Sequence, residues 1–127
     1  MAKDPVIVPT ARTPIGPFSY AVRAHGMLYV SGCVGVDDTW KVVGPDVASQ
    51  TRRTLEIIKG ILDAANVPLQ NVVKTTTYLT SAADYQAFND VRRAFFPAPY
   101  PASTVVVVKE LVVKAAVVEI EAIAEVP

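Results

Sequence analysis

Two glutamates late in the sequence, Glu119 and Glu121, have a spacing suited to acid–base chemistry. Residues two apart on a β-strand face the same side, so both glutamates point away from Ile120 and Ala122. Burial would raise the pKa of Glu119 toward neutrality and let it accept and return protons as a general acid or base. Two exposed glutamates that solvate the open face of a terminal strand would show the same pattern. The spacing alone leaves both interpretations open.

Ser31 and Cys33 are candidate nucleophiles on another predicted strand. Serine needs an adjacent base, and the only histidine, His25, lies in a predicted turn, so no Ser-His-acid arrangement is predicted. A cysteine beside a cleft can be a nucleophile or a redox target, although a free cysteine is more often a small buried hydrophobic residue. Strand alternation places Cys33 on the same side as Ser31. One histidine and one cysteine do not make a metal-ligand set, and the sequence has no glycine-rich phosphate loop, so neither a metal nor a cofactor is predicted.

The composition indicates a single domain spanning residues 1–127. Half of the chain is hydrophobic, which suits a large core, a buried subunit interface, or both. The formal net charge is zero, so no nucleic acid or acidic membrane surface is expected as a partner, and the longest apolar stretch is too short to span a bilayer. A single cysteine cannot form an intramolecular disulfide, and no signal-peptide pattern is recognised. A cytoplasmic location is therefore predicted.

Apolar periodicity and turn residues predict alternating strands and helices. Asp46 is a credible N-cap, and the apolar positions after it recur at steps of four and three residues, as in a helix. The element order predicts an α+β layer with both helices on one face of a mixed sheet. The apolar run at 105–108 shows no alternation, which predicts that helices cover one of its faces and another subunit the other. In chain order the predicted elements are a strand at 6–8, a hairpin with its turn at His25-Gly26 and its second strand at 27–34, a helix from Asp46 to Asn66, a strand at 72–80, a helix from Ser81 to Phe96, and strands at 103–109 and 116–125.

Five motifs along nearly the whole chain resemble those of the RidA (YjgF-type) reactive-intermediate deaminase family. The resemblance implies a chorismate-mutase-like α+β fold and a homotrimer whose sheets pack into a barrel, with clefts between subunits. It also implies hydrolysis of small imine or enamine metabolites such as 2-aminoacrylate, which releases ammonia and a 2-keto acid. The motifs are Ile15-Gly16-Pro17-Phe18, Val30-Ser31-Gly32, the segment from Val73 to Leu79, Tyr100-Pro101-Ala102-Ser103-Thr104, and Glu119-Ile120-Glu121-Ala122-Ile123-Ala124.

The resemblance assigns roles to residues that the pattern alone leaves open. It makes Glu119 the general acid or base and Ser31 a hydrogen-bonding group of the catalytic site, while Glu121 keeps a structural role. The resemblance also implies four substrate-binding positions, namely Phe18, Asn89, Ser103 and Cys33. Cys33 replaces a glutamine that is common in the family.

Two of these positions depart from the family pattern. Ser103 stands where the family has an arginine, whose planar fork would bind a substrate carboxylate in a bidentate manner. Phe18 replaces the usual tyrosine and lacks its hydroxyl. We therefore expect weaker binding of a simple 2-imino acid, by at least about tenfold, and an altered substrate preference. An arginine from another part of the chain could supply the cation instead. Most of these arginines lie on predicted helical faces or hairpin surfaces. The candidates are arginines 12, 23, 52, 53, 92 and 93.

Three functions remain compatible with the sequence. The first is a cofactor-free hydrolase that acts on a C=N or enamine substrate, for which Ser31, Asn89 and Glu119 are retained. The second is a non-catalytic trimer that binds a small metabolite or regulates a partner, for which the missing arginine is the main argument. The third is ribonuclease or translation inhibition, which zero net charge and the lack of a basic aromatic patch disfavour.

Overall fold

The computed structural model describes residues 2–127, which form one six-stranded mixed sheet with two helices. This architecture confirms the predicted α+β fold. Short 3₁₀ turns lie at Leu69–Asn71 and Ala82–Asp84. The strands and helices are β1 Asp4–Pro5, β2 Ala21–Ala24, β3 Met27–Cys33, α1 Val47–Ala64, β4 Val72–Leu79, α2 Tyr85–Phe95, β5 Ala102–Val107 and β6 Val118–Glu125.

The sheet has the strand order β1-β2-β3-β6-β4-β5, with β6 in the middle although it comes last in the chain. All neighbouring pairs are antiparallel except β4 and β5, which are parallel. Helix α1 connects β3 to β4, and α2 connects β4 to β5. The two helices pack against each other, and α1 also contacts β3 and β6. Both helices therefore lie on one face of the sheet, as predicted.

Strand β6 shows how the sheet separates its two faces. Val118, Ile120, Ala122 and Ala124 are buried under the helices, and the residues between them are only half-buried. Helix α1 contributes the other side of the core, where the predicted apolar positions are buried: Thr51, Leu55, Ile58, Leu62 and Ala65. We call the sheet face opposite the helices the open face; it carries Tyr29, Thr76, Tyr78, Glu119, Glu121 and Ile123.

Local sequence signals explain where the hairpin turns and where α1 begins. His25 and Gly26 both have positive φ angles, 51° and 76°, as the tight turn between β2 and β3 requires. The Asp46 carboxylate accepts a hydrogen bond from the Ser49 amide at 2.9 Å and caps α1. Asn66 follows the helix with φ 58°, a conformation that asparagine tolerates well. The hairpin and the helix N-cap are thus confirmed.

Three details differ from the sequence predictions. The first strand pairs at Asp4–Pro5 rather than at 6–8, because Val6 is instead buried in the core. The register of β3 against β6 shifts between Val30 and Cys33, and this bulge breaks the alternation that placed Cys33 on the side of Ser31. Val107 is 53% exposed although its near neighbour Val105 packs on the core, and β5 is the edge strand of the sheet.

Candidate functional site

Glu119 lies on the open face without a hydrogen-bond donor from any of the residues 2–127. Its partial burial, and secondarily the nearby Glu121 carboxylate, raise the pKa of its carboxyl above the usual value. The Gly32 backbone lies directly against it, so that a Cβ at Gly32 would be 2.2 Å from Glu119 Oε2. An unpaired carboxylate with a raised pKa is suited to accepting and returning a proton.

Glu121 has a different environment from Glu119 although both lie on the same face of β6. Tyr78 Oη donates a hydrogen bond to Glu121 Oε1 at 2.6 Å, and this bond is the main cause of the raised pKa of the Tyr78 hydroxyl. A carboxylate that already has a partner is less available to a substrate. The structure therefore distinguishes the two glutamates where their spacing could not.

Ser31 precedes Gly32, which lies against Glu119, and Phe18 precedes Ser19, which Ser31 contacts. Ser31 Oγ donates a hydrogen bond to the Ser19 carbonyl at 2.6 Å, which ties β3 to the loop that carries Phe18. The hydroxyl proton is thereby used within the chain, and the lone pairs of Ser31 Oγ remain available as acceptors. Phe18 is 51% exposed, and its ring lies against Gly16. We call Phe18, Ser31 and Glu119 the acid cluster.

Cys33 lies in the core beneath this cluster rather than on the open face. It is 7% exposed, it pairs with Ile120 across the sheet, and its Sγ contacts the Ser31 carbonyl at 3.3 Å. Burial first, and the Glu119 carboxylate second, raise the pKa of the Cys33 thiol to about 12. A thiol that stays protonated at neutral pH is a poor nucleophile.

Asn89 and Ser103 come together at the other side of the sheet through an arginine that the sequence analysis did not assign to the site. Arg92 Nε donates to Asn89 Oδ1 at 2.8 Å, and Arg92 Nη1 donates to Ser103 Oγ at 2.6 Å. Arg92 Nη2 donates to Tyr85 Oη at 3.2 Å, and the guanidinium carbon lies 4.8 Å from the centre of the buried Phe88 ring. The guanidinium is thus fixed by three neutral acceptors and an aromatic ring.

A small cavity of about 150 Å³ opens beside this guanidinium. Arg93 adds a second positive charge at its edge, and no acidic side chain lies within 4 Å of either arginine in residues 2–127. We call Asn89, Arg92 and Ser103 the arginine cluster. Other side chains that line the cavity are Phe96 and Tyr100.

The acid cluster and the arginine cluster lie on opposite faces of the sheet in one chain. Ser103 pairs with Thr75 on β4, and Thr75 pairs with Ala122 on β6, so Ser103 is two strands away from β6. Strand spacing and rise put it roughly 10 Å across the sheet and roughly 10 Å along it from Glu119. Ser103 contacts α2 on the helix face, whereas Glu119 lies on the open face. A single chain does not bring the predicted site residues into one cleft.

Among residues 2–127, no group of three His, Cys, Asp or Glu side chains is placed to hold a metal ion. The same residues include no helix that is both long and apolar enough to cross a lipid bilayer.

Comparison with known proteins shows the family of the chain. The family model described as Endoribonuclease L-PSP matches residues 9–126. A RutC family protein of Pyrococcus horikoshii is 39% identical over 96% of this chain and 97% of its own length. The chain belongs to the RidA/YjgF family.

Other relatives of the chain include a protein named for its activity and a protein of solved structure. The 2-iminobutanoate/2-iminopropanoate deaminase of Dermatophagoides farinae is 34% identical over 93% of this chain and 92% of its own length. The crystal structure of the Rid family protein YyfA of Yersinia pestis, described as a protein of unknown function, superimposes with a TM-score of 0.92 at 36% identity. That match covers 98% of this chain and all of the YyfA chain. Family membership and fold agree with the resemblance found in the sequence.

Arg92 was one of six arginines considered as a substitute cation and was not assigned to the site, because most of them lie on predicted helical faces or hairpin surfaces. Tyr85, Asn89 and Arg92 recur at steps of four and three residues, so one face of α2 presents all three side chains. That spacing was a signal for their contact. The further contact with Ser103 depends on how α2 docks against β5, which the spacing does not reveal.

Proposed function

We propose that this RidA/YjgF family member hydrolyses a small imine or enamine metabolite without a cofactor. The observation that carries the proposal is the Glu119 carboxylate, which lies against Gly32 with a raised pKa and no hydrogen-bond donor from residues 2–127. The name of the related deaminase of Dermatophagoides farinae supports the reaction type. The single reduced thiol suits a cytoplasmic protein that clears reactive metabolites.

The proposed reaction needs one proton acceptor that also acts as a donor. Water adds to the carbon of the protonated C=N bond while Glu119 accepts one of the water protons, which leaves a neutral amine and a hydroxyl on the same carbon. Glu119 then returns that proton to the amine nitrogen. The C–N bond breaks with its electron pair going to ammonia, the hydroxyl oxygen forms the carbonyl, and the hydroxyl proton passes to Glu119 and from there to solvent. A carboxyl with a raised pKa holds and releases this proton more readily near neutral pH than an ordinary glutamate does.

We propose a homotrimer in which the acid cluster of one subunit faces the arginine cluster of the next. The two clusters occupy opposite faces of one sheet, which supports a cleft that a second copy of the chain would complete. Exposed apolar side chains on the open face and the β5 edge support such an interface: Tyr29 is 44%, Val106 41% and Val107 53% exposed. Sedimentation or light scattering would test it, and a stable monomer would overturn the shared site.

We propose that the substrate preference of this protein is altered relative to 2-iminopropanoate. Phe18 offers a ring without a hydroxyl, and Ser103 offers a hydroxyl without a charge. These same two residues favour the second candidate function, in which the trimer binds a small metabolite without turnover. Zero net charge gives no comparable support to RNA as a substrate.

The decisive experiment measures release of ammonia and 2-keto acid from freshly generated 2-iminopropanoate and 2-iminobutanoate. Wild type should accelerate both products above a protein-free control, and Glu119→Gln should reduce that rate by at least about a hundredfold. Glu110→Gln is the matched control, because Glu110 is an exposed glutamate outside the strands. Binding without acceleration by wild type would favour the non-catalytic function. Full turnover by Glu119→Gln would remove Glu119 from the mechanism.

A further inference from the structure

We infer that Arg92 supplies the cation that binds the substrate's carboxylate, from helix α2 rather than from the β5 position occupied by Ser103. This inference rests on the proposed function and specifies its substrate class: a small acid with an ionised carboxylate beside the C=N bond. Arg92 would bind the substrate through N–H groups that its own chain leaves unused, with Ser103 as a positioning residue.

The hydrogen bonds of Arg92 leave two of its five N–H groups unused. Its three contacts, to Asn89, Ser103 and Tyr85, each use one N–H of a different nitrogen. A guanidinium has two N–H groups on each terminal nitrogen, so Nη1 and Nη2 each keep one more donor. Two parallel N–H donors on adjacent nitrogens match the two oxygens of a carboxylate.

The charge of Arg92 is also unneutralised within the described chain. Its three acceptors are neutral, and residues 2–127 place no carboxylate within 4 Å of it. Beyond joining α2 to β5, this charged group lines a cavity of about 150 Å³ that could hold a small anion. Arg93 at the cavity edge adds positive potential without contacting these acceptors.

The guanidinium is held in place before a ligand arrives. Phe88 is 1% exposed, and the guanidinium carbon lies over its ring, 4.8 Å from the ring centre. Three hydrogen bonds hold the same group. A cation that is already ordered loses little conformational freedom on binding, which favours a small ligand. A serine at position 103 is short enough to leave this space to Arg92.

The test measures binding rather than turnover, so that it remains informative if the hydrolysis proposal fails. Wild-type protein is titrated calorimetrically with 2-oxobutanoate and with its neutral amide, 2-oxobutanamide, as unreactive probes. We expect wild type to bind the acid at least about tenfold more tightly than the amide, because the acid alone forms a charge-assisted fork. Equal binding of the two probes, or binding of neither, overturns the inference without any variant.

Variants then assign the preference to Arg92. Arg92→Gln should weaken acid binding by at least about tenfold and change amide binding by less than about twofold. Arg92→Lys keeps the charge without the fork and should fall between wild type and Arg92→Gln. Arg52→Gln is the matched control, because it removes the same charge from an exposed position on α1. If Arg92 had a purely structural role, Arg92→Gln would weaken the binding of both probes by similar factors. That result would overturn the inference.

The two proposals can fail separately. Arg92-dependent acid binding without acceleration of imine hydrolysis would leave the anion site standing and remove the hydrolase. Imine hydrolysis that is unchanged in Arg92→Gln would leave the hydrolase standing and remove the anion site.

Discussion

Arg92 on α2 donates a hydrogen bond to the Ser103 hydroxyl on the edge strand β5, with 2.6 Å between Nη1 and Oγ. The bond joins a helix position and a strand position that are eleven residues apart in the sequence. A longer side chain at 103 would compete for the space that the guanidinium fills. Ser103 and Arg92 are therefore joined as a pair, and the predictions below test whether Arg92 supplies the charge that Ser103 lacks.

An arginine at position 103 on β5 should restore the binding preference for the acid that Arg92→Gln removes from α2. In the double variant with Arg92→Gln and Ser103→Arg, we expect the preference for 2-oxobutanoate over its amide to return to within about fivefold of wild type. Ser103→Arg alone should bind the acid no better than wild type, because two guanidiniums then repel each other in one cavity. Calorimetric titration of the four proteins measures this. A folded double variant that binds like Arg92→Gln would contradict the pairing.

Two inactive variants should complement each other if neighbouring subunits share the cleft. Glu119→Gln damages the acid cluster and Arg92→Gln damages the arginine cluster, so a mixed trimer contains some clefts with neither change. After unfolding and joint refolding at equal concentrations, random mixing predicts about one quarter of the wild-type rate of imine hydrolysis. Each variant refolded alone is the control. A mixture no more active than the separate variants would place both clusters in one subunit or remove one of them from the site.

A methyl group at Gly32 should impair turnover more than folding. Its Cβ would be 2.2 Å from Glu119 Oε2, and the movable end of the glutamate must give way. We expect Gly32→Ala to lower the hydrolysis rate at least about tenfold, since displacement of a reacting group by about 1 Å is costly. Thermal unfolding should stay near that of wild type.

Gly60→Ala is the control for this substitution, because nothing lies within 4 Å of a Cβ there. In the middle of α1 it should leave turnover unchanged and raise the free energy of unfolding by up to about 1 kcal/mol. Full activity of Gly32→Ala would show that the Glu119 position seen here is not the reactive one.

Cys33 should resist alkylation in the native protein. The pKa of its thiol is raised to about 12, so at pH 8 only about one molecule in ten thousand carries the reactive thiolate. Mass spectrometry after iodoacetamide treatment should show no adduct on native protein and complete labelling in guanidinium chloride. Rapid labelling of the folded protein would contradict the burial of this thiol.

The N-cap of α1 should make stability depend on pH in the acid range. Hydrogen bonds from Ser49 lower the pKa of the Asp46 carboxyl in the folded state. Its stabilising effect is therefore present above the unfolded-state pKa and is lost as the pH falls through the lower folded-state value. Asp46→Ala should melt below wild type at pH 7, and the difference should shrink below about pH 4. Asp46→Asn keeps an oxygen acceptor, so its melting temperature should fall less than that of Asp46→Ala. A melting difference between wild type and Asp46→Ala that stays constant at all pH values would contradict the role of the Asp46 carboxylate as N-cap.

The sequence by itself determined the elements of this protein and the family to which it belongs. The turn at His25-Gly26, the Asp46 cap and the apolar steps of α1 are local features, and each depends on residues close together in the chain. Local conformational preferences and hydrophobic periodicity carry that information directly. The alternation of β6 likewise placed Glu119 and Glu121 on one face.

Only the tertiary structure decided which of these residues meet. The register of β4 against β6 places Tyr78 directly opposite Glu119, yet the Tyr78 hydroxyl bonds diagonally to Glu121, so Glu121 has a partner and Glu119 has none among residues 2–127. A bulge sends Cys33 into the core, and the docking of α2 on β5 brings Arg92 to Ser103. Strand register, bulges and helix docking are set by packing between segments distant in sequence, and residue spacing within one segment does not encode them.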